Sequence, residues 1–218
     1  MKGKRARSRG VRNPVRNTAV FALITVASVI LILMGVADMR ESGRTGSPFL
    51  ALGLFPALLC PIFVIHYATK IRVFSEMRSG RSAIARWTVP ADQFSRFCSE
   101  EQRAPAGSIM TNFYKPPPTI PAEGVEVIFS DDGVLIGDGY FPLSITGGRR
   151  VQSVGYIASD PPSIEFRTLM STRARTSSVT TDAIRTSQRL RVPVAIDARG
   201  AASEVIRRYQ TLIDHRGR

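Results

Sequence analysis

Two uncharged apolar runs stand near the start of the chain, and shorter periodic patterns take over after them. Thr18 to Ala37, "TAVFALITVASVILILMGVA", holds twenty residues without a charge. At a rise of about 1.5 Å per residue, such a helix spans a hydrocarbon core of about 30 Å. It is apolar all round, which excludes an amphipathic surface helix. It is also longer than the apolar region of a signal peptide, about 7–15 residues. Pro48 to Thr69, "PFLALGLFPALLCPIFVIHYAT", is a second run with no formal charge when His66 is neutral. Pro56 and Pro61 predict a kink there, because each removes a backbone donor and crowds the preceding turn. Membrane helices tolerate this where neighbouring groups satisfy the freed carbonyls. His66 and Tyr67 fall near the end of the run, where amphipathic side chains suit the membrane interface. The polar link "DMRESGRTGSP" makes the pair a helical hairpin: transmembrane helices over 18–37 and 48–69, with an external loop over 38–47.

Past the second run, "KIRVFSEMRSGRS" continues the helix to about Met77, with Gly80 as its stop. Residues 70–83 are thus a basic juxtamembrane linker, and a β-rich domain follows over 84–214. In "SAIARWTVP", Ile84, Arg86 and Thr88 alternate with Ala85, Trp87 and Val89, which reads as a strand. That phase makes Trp87 a core residue of the domain, not an anchor in the headgroups. Pro90 suits the first turn of a helix, and "ADQFSRFCSEEQR" places Phe94, Phe97 and Cys98 on one face. The stretch 104–123 carries five prolines, including Pro116 to Pro118, and reads as a surface loop pinned by Phe113 and Tyr114. "VEVIF", "SDDG" and "VLIG" form a strand, turn and strand. Further strands are "GYFPLS", "RVQSVGYIAS", "SIEFRTLMS" and "RLRVPVAI". In the last of these, Leu190, Val192, Val194 and Ile196 form one buried face, and Pro193 marks an edge strand or a bulge. "TRARTSSVTTDAIRTSQ" reads as a long loop or exposed hairpin end. A final helix carries Val205, Ile206, Tyr209, Leu212 and Ile213 as one apolar stripe.

Charge sharpens this picture. The net charge is +13, but residues 1–17 hold seven basic side chains and no acidic one. Residues 70–86 hold five basic and one acidic, and residues 87–218 hold sixteen basic and fourteen acidic. The excess therefore flanks the apolar runs, and the domain is nearly neutral. A nucleic-acid protein would carry a basic patch on the domain itself, so no specific nucleic acid is expected. The positive-inside rule places both termini in the cytoplasm, with residues 1–17 as a basic cytoplasmic tail. Lys2, Lys4, Arg5, Lys70 and Arg72 are then expected to meet anionic headgroups.

Candidate chemistry is sparse. Cys60 and Cys98 show no metal-ligand spacing, and His66 and His215 have no ligand-like neighbour. "DDG…GDG" fails the spacing of a calcium loop. There is no Gly-rich phosphate loop and no nucleophile elbow. No cofactor, metal or catalytic residue is assigned, and a membrane-bound hydrolase would have to rely on His215 near the end of the chain.

A membrane hairpin, a β-rich domain and one terminal amphipathic helix follow in that order. With "VEVIFSDDGVLIG" and "LRVPVAIDARGAASEVIRRYQTLI", the chain resembles bacterial membrane proteins that carry a small pleckstrin-homology-like domain after two transmembrane helices. The resemblance implies a half-open β-barrel with a C-terminal helix capping one end, and no catalytic residues. Such barrels use a sheet edge or a loop-lined mouth to hold peptides. The expectation is a non-enzymatic inner-membrane protein whose cytosolic domain binds a protein partner or assembles with itself. Arg149, Arg150, Arg173 and Arg175, read as loop residues, are its candidate contacts. The alternative is a sensor of anionic lipid or of the membrane surface.

Overall fold

In the computed structural model the described residues are 10–43, 46–103, 114–115, 117–147, 149–172 and 184–216. They divide into two compact units, one over residues 13–75 and one joining the segment up to Arg12 to the chain from Glu76 onward.

The first unit is built from α1 (Pro14–Ser42) and α2 (Pro48–Arg78), which are 29 and 31 residues long. Both are long and apolar enough to cross a membrane. They extend beyond the apolar windows 18–37 and 48–69: α1 takes in Asp38, Arg40 and Glu41 before Gly43 turns left-handed with φ 65°. Helix α2 runs unbroken through Pro56 and Pro61, and it ends at Arg78, ahead of Gly80 with φ 80°. Small residues let the two backbones meet. Ser28 and Gly35 on α1 and Gly53 and Cys60 on α2 are buried. A Cβ added at Gly35 would lie 2.6 Å from the Leu50 nitrogen, and one at Gly53 2.7 Å from the Ser28 carbonyl oxygen. Phe21 stacks on Phe63 and Tyr67, with centroids 4.9 and 5.7 Å away. Leu23 and Phe55, 70% and 71% exposed, point outward as lipid-facing side chains would.

The second unit opens with β1 (Ala85–Val89) and α3 (Ala91–Arg103). Strands β2 (Val125–Ser130), β3 (Gly133–Ile136) and β4 (Gly139–Pro142) complete an antiparallel four-stranded sheet in the order β1-β2-β3-β4. The turns joining β2 to β3 and β3 to β4 are two residues each, Asp131-Asp132 and Gly137-Asp138. Strands β5 (Arg149–Ile157), β6 (Ser163–Thr172) and β7 (Ile184–Pro193) form a second antiparallel sheet, with a bulge in β5 between Val151 and Ser153. A short 3-10 turn, Ile196–Ala198, leads into α4 (Arg199–Arg216).

The core joins both sheets and α4 through aromatic rings. Trp87 packs on Phe129, Phe129 on Phe166, and Phe166 on Tyr209, with centroids 5.3, 5.8 and 5.0 Å apart. Trp87 is 6% exposed, and its indole Nε1 donates to the Pro193 carbonyl at 3.1 Å. The Tyr209 hydroxyl donates to the Ser130 carbonyl at 2.7 Å. Each polar tip thus finds a backbone acceptor where the ring is buried. Burial holds the Tyr209 phenol well above its ordinary pKa, with Tyr140, Asp131 and Asp132 adding to the rise.

Three expectations need correction. Arg149 and Arg150 are not loop residues; they open β5, opposite Met170 and Leu169. The stretch from Thr172, read as a long loop or exposed hairpin end, has strand at both ends, as the hairpin alternative expects: Thr172 pairs with Ile184 and β7 continues from there. Ile196 leaves the buried face and is 50% exposed, since the strand ends at Pro193 and the chain turns. Arg191, which alternates with the apolar residues Leu190 and Val192 and so is expected on the outer face of that strand, is buried.

Candidate binding surfaces

Three places on the sheet unit gather polar chemistry. The first lies under α3. The apolar positions of this helix, Phe94, Phe97 and Cys98, enter the core, and Glu101 is buried beside them. Arg191 Nη1 donates to Glu101 Oε1, and its Nη2 donates to Ser163 and Ser159 at 2.8 and 2.9 Å. Arg189 lies 3.7 Å from Glu101 and 3.6 Å from Glu165. The Arg191 guanidinium also sits 5.6 Å from the Phe97 ring centre. Burial, with Glu101 as a second cause, pushes the Cys98 thiol up to about 12, so it stays protonated and unreactive. This is a mutually neutralised cluster that docks α3 on the second sheet. The sequence reading missed it, because Glu101 and Arg191 lie far apart and each looks solvent-facing in its own element.

The second place is a pocket of about 520 Å³ lined by the start of β2, the β3–β4 turn, the loop before β2, and Arg12 and Arg78. Gly124, at φ 94°, allows its closest wall: a Cβ there would lie 2.4 Å from the Val89 carbonyl oxygen. Tyr114 closes one side against Phe94 and Phe141. Its phenol is held far above its ordinary pKa by burial and by Cys98, with Arg12 pulling the other way. Next to Arg12, Val11 and Tyr140 exchange backbone hydrogen bonds of 3.0 and 3.1 Å, so the segment before α1 extends the β4 edge. At the rim, Arg78 pairs with Asp138 at 3.0 Å, and Arg86 with Glu126 at 2.9 Å.

The third is the outer edge of β5. Strand β5 ends its sheet, and among the described residues no strand pairs with its outer side. The Val151 N–H donates to the Ser144 carbonyl at 2.9 Å near the start of the strand. From Gln152 to Ile157 the described residues offer no further backbone partner on that side, and Tyr156 stands 41% exposed there.

The residues singled out from the sequence are scattered. Arg149 and Arg150 start β5, with Arg150 half-buried; Arg173 and Arg175 lie outside the described residues, as do Lys2, Lys4, Arg5 and Phe113. Lys70 and Arg72 lie on α2, the first half-buried and the second exposed. His215 is exposed on α4. Among the described residues no group of three His, Cys, Asp or Glu side chains is placed to hold a metal ion. No protein-family model, curated protein or solved structure matches the chain.

Proposed function

We propose that this is a non-enzymatic inner-membrane protein whose sheet domain binds an extended segment of a protein partner along β5. Both termini lie in the cytoplasm in this reading, and the hairpin of α1 and α2 holds the domain at the membrane. The domain is a pleckstrin-homology-like half-open barrel. The four-stranded and three-stranded antiparallel sheets followed by one terminal helix support that reading.

The carrying observation is the nine-residue strand β5, whose outer edge has no strand partner among the described residues and which presents Tyr156 to solvent. An unpaired edge is a ready template for another chain, and main-chain pairing there supplies affinity while side-chain pockets supply selectivity. Arg150, half-buried at the start of the strand, adds a cation at one end. The test is affinity purification of the intact protein from membranes, with mass spectrometry of what co-purifies. The same protein should co-purify reproducibly with the native chain and be lost with Tyr156→Lys, since an exposed edge lysine discourages strand pairing without touching the core. Retention by that variant at native yield would remove β5 as the docking edge.

A further inference from the structure

The pocket beside Gly124 carries a different chemistry. Six of its lining residues are charged: Arg12, Arg78, Lys115, Glu123, Glu126 and Asp138. The ion pairs Arg78–Asp138 and Arg86–Glu126 already neutralise two of the carboxylates. Lys115 and Glu123 are exposed members of the lining, one of each sign. A compact zwitterion satisfies both without opposing either.

We propose that this pocket binds a phosphoethanolamine group, with its phosphate on Lys115 and its ammonium on Glu123. Phosphate accepts charge-assisted hydrogen bonds from Lys and Arg, and a primary ammonium donates to a carboxylate. Val125, Ile136 and the prolines Pro117 and Pro121 supply the apolar part of the wall. The volume of about 520 Å³ leaves room for more than the headgroup, so a glycerol backbone and the first methylenes fit beside it. The chain itself favours a lipid source: Arg12 precedes α1 by two residues, and Arg78 is the last residue of α2. Free phosphoethanolamine carries the same recognition chemistry.

The test uses the intact protein in maltoside micelles, which contain no phosphate, with phosphoethanolamine, inorganic phosphate and ethanolamine titrated separately by calorimetry. Phosphoethanolamine should bind at least about tenfold more tightly than either half, the factor expected from one added charged hydrogen bond. Lys115→Gln and Glu123→Gln should each weaken it by about tenfold on the same ground, with melting unchanged because both side chains are exposed. A second arm reconstitutes the protein in nanodiscs of equal phosphatidylethanolamine and phosphatidylglycerol and weighs retained lipid by native mass spectrometry. Retention of phosphatidylethanolamine that is lost in Glu123→Gln identifies the lipid as the source. Binding of the soluble group without lipid retention identifies the free compound. Inorganic phosphate binding as tightly as phosphoethanolamine, or no response in either arm, overturns the proposal.

Discussion

The charges under α3 and the charges around the pocket use the same kinds of side chain, and their settings make them opposites. Glu101, Glu165 and Arg191 are 5%, 9% and 8% exposed; Arg191 donates to Glu101, and Arg189 lies 3.7 Å from Glu101 and 3.6 Å from Glu165. Arg78, Asp138, Arg86 and Glu126 are 40–55% exposed at the side chain, in pairs of similar length. Removing one partner from the buried set strands a charge without water. Removing one from the pocket rim lets solvent take its place. Burial, not the number of ion pairs, separates a structural cluster from an exchangeable surface.

That difference can be broken from either side. Arg191→Ala should destabilise the domain by about 3–5 kcal/mol, because Glu101 keeps its charge without its partner. Chemical unfolding of the intact protein followed by circular dichroism reads this. Adding Glu101→Leu to Arg191→Met should recover most of the loss if the cost is an uncompensated charge. Trp87→Ala should cost a similar amount, about 3–5 kcal/mol, through the cavity it leaves beside Phe129. An unfolding midpoint unmoved by Trp87→Ala would return the indole to the membrane interface. Tyr209→Phe keeps the ring but removes the bond to the Ser130 carbonyl, for about 1 kcal/mol. At the pocket rim, Arg78→Gln should change stability by at most about 1 kcal/mol, and less still at high salt.

The smallest effect is one of pH. Asp131 accepts from Arg208 at 2.8 and 3.0 Å, and that bond holds its carboxyl below the usual range. A depressed folded pKa contributes stability above the unfolded value and loses it as pH falls through the folded one. Arg208→Gln should therefore lower stability at neutral pH and leave it unchanged in strong acid. An equal offset at every pH would mean that the arginine acts through packing alone.

The sequence carried the elements whose patterns repeat locally. Twenty uncharged residues announce a helix long enough to cross a membrane, and the alternation around Trp87 announces β1, with its predicted buried face intact. Phe94, Phe97 and Cys98 did the same for α3. What it could not carry were contacts between distant residues. Arg191 sits at an alternating polar position, which reads as solvent until α3 is laid over it. Ile196 continues a buried phase on paper, yet the strand stops at Pro193. Arg149 and Arg150 follow the turn-like "TGG", and only pairing with Met170 and Leu169 makes them strand. The pocket draws on residues from Arg12 to Gly139, so no window of sequence contains it.

The central claim is that β5 docks a partner. Hydrogen exchange of the intact protein, alone and with its co-purified partner, reads that edge directly. The account predicts slower exchange on binding from Gln152 to Ile157, with β2 and β3 unchanged because each is flanked on both sides by strands of its own sheet. Protection that leaves β5 untouched and falls instead on α3 or α4 would contradict it.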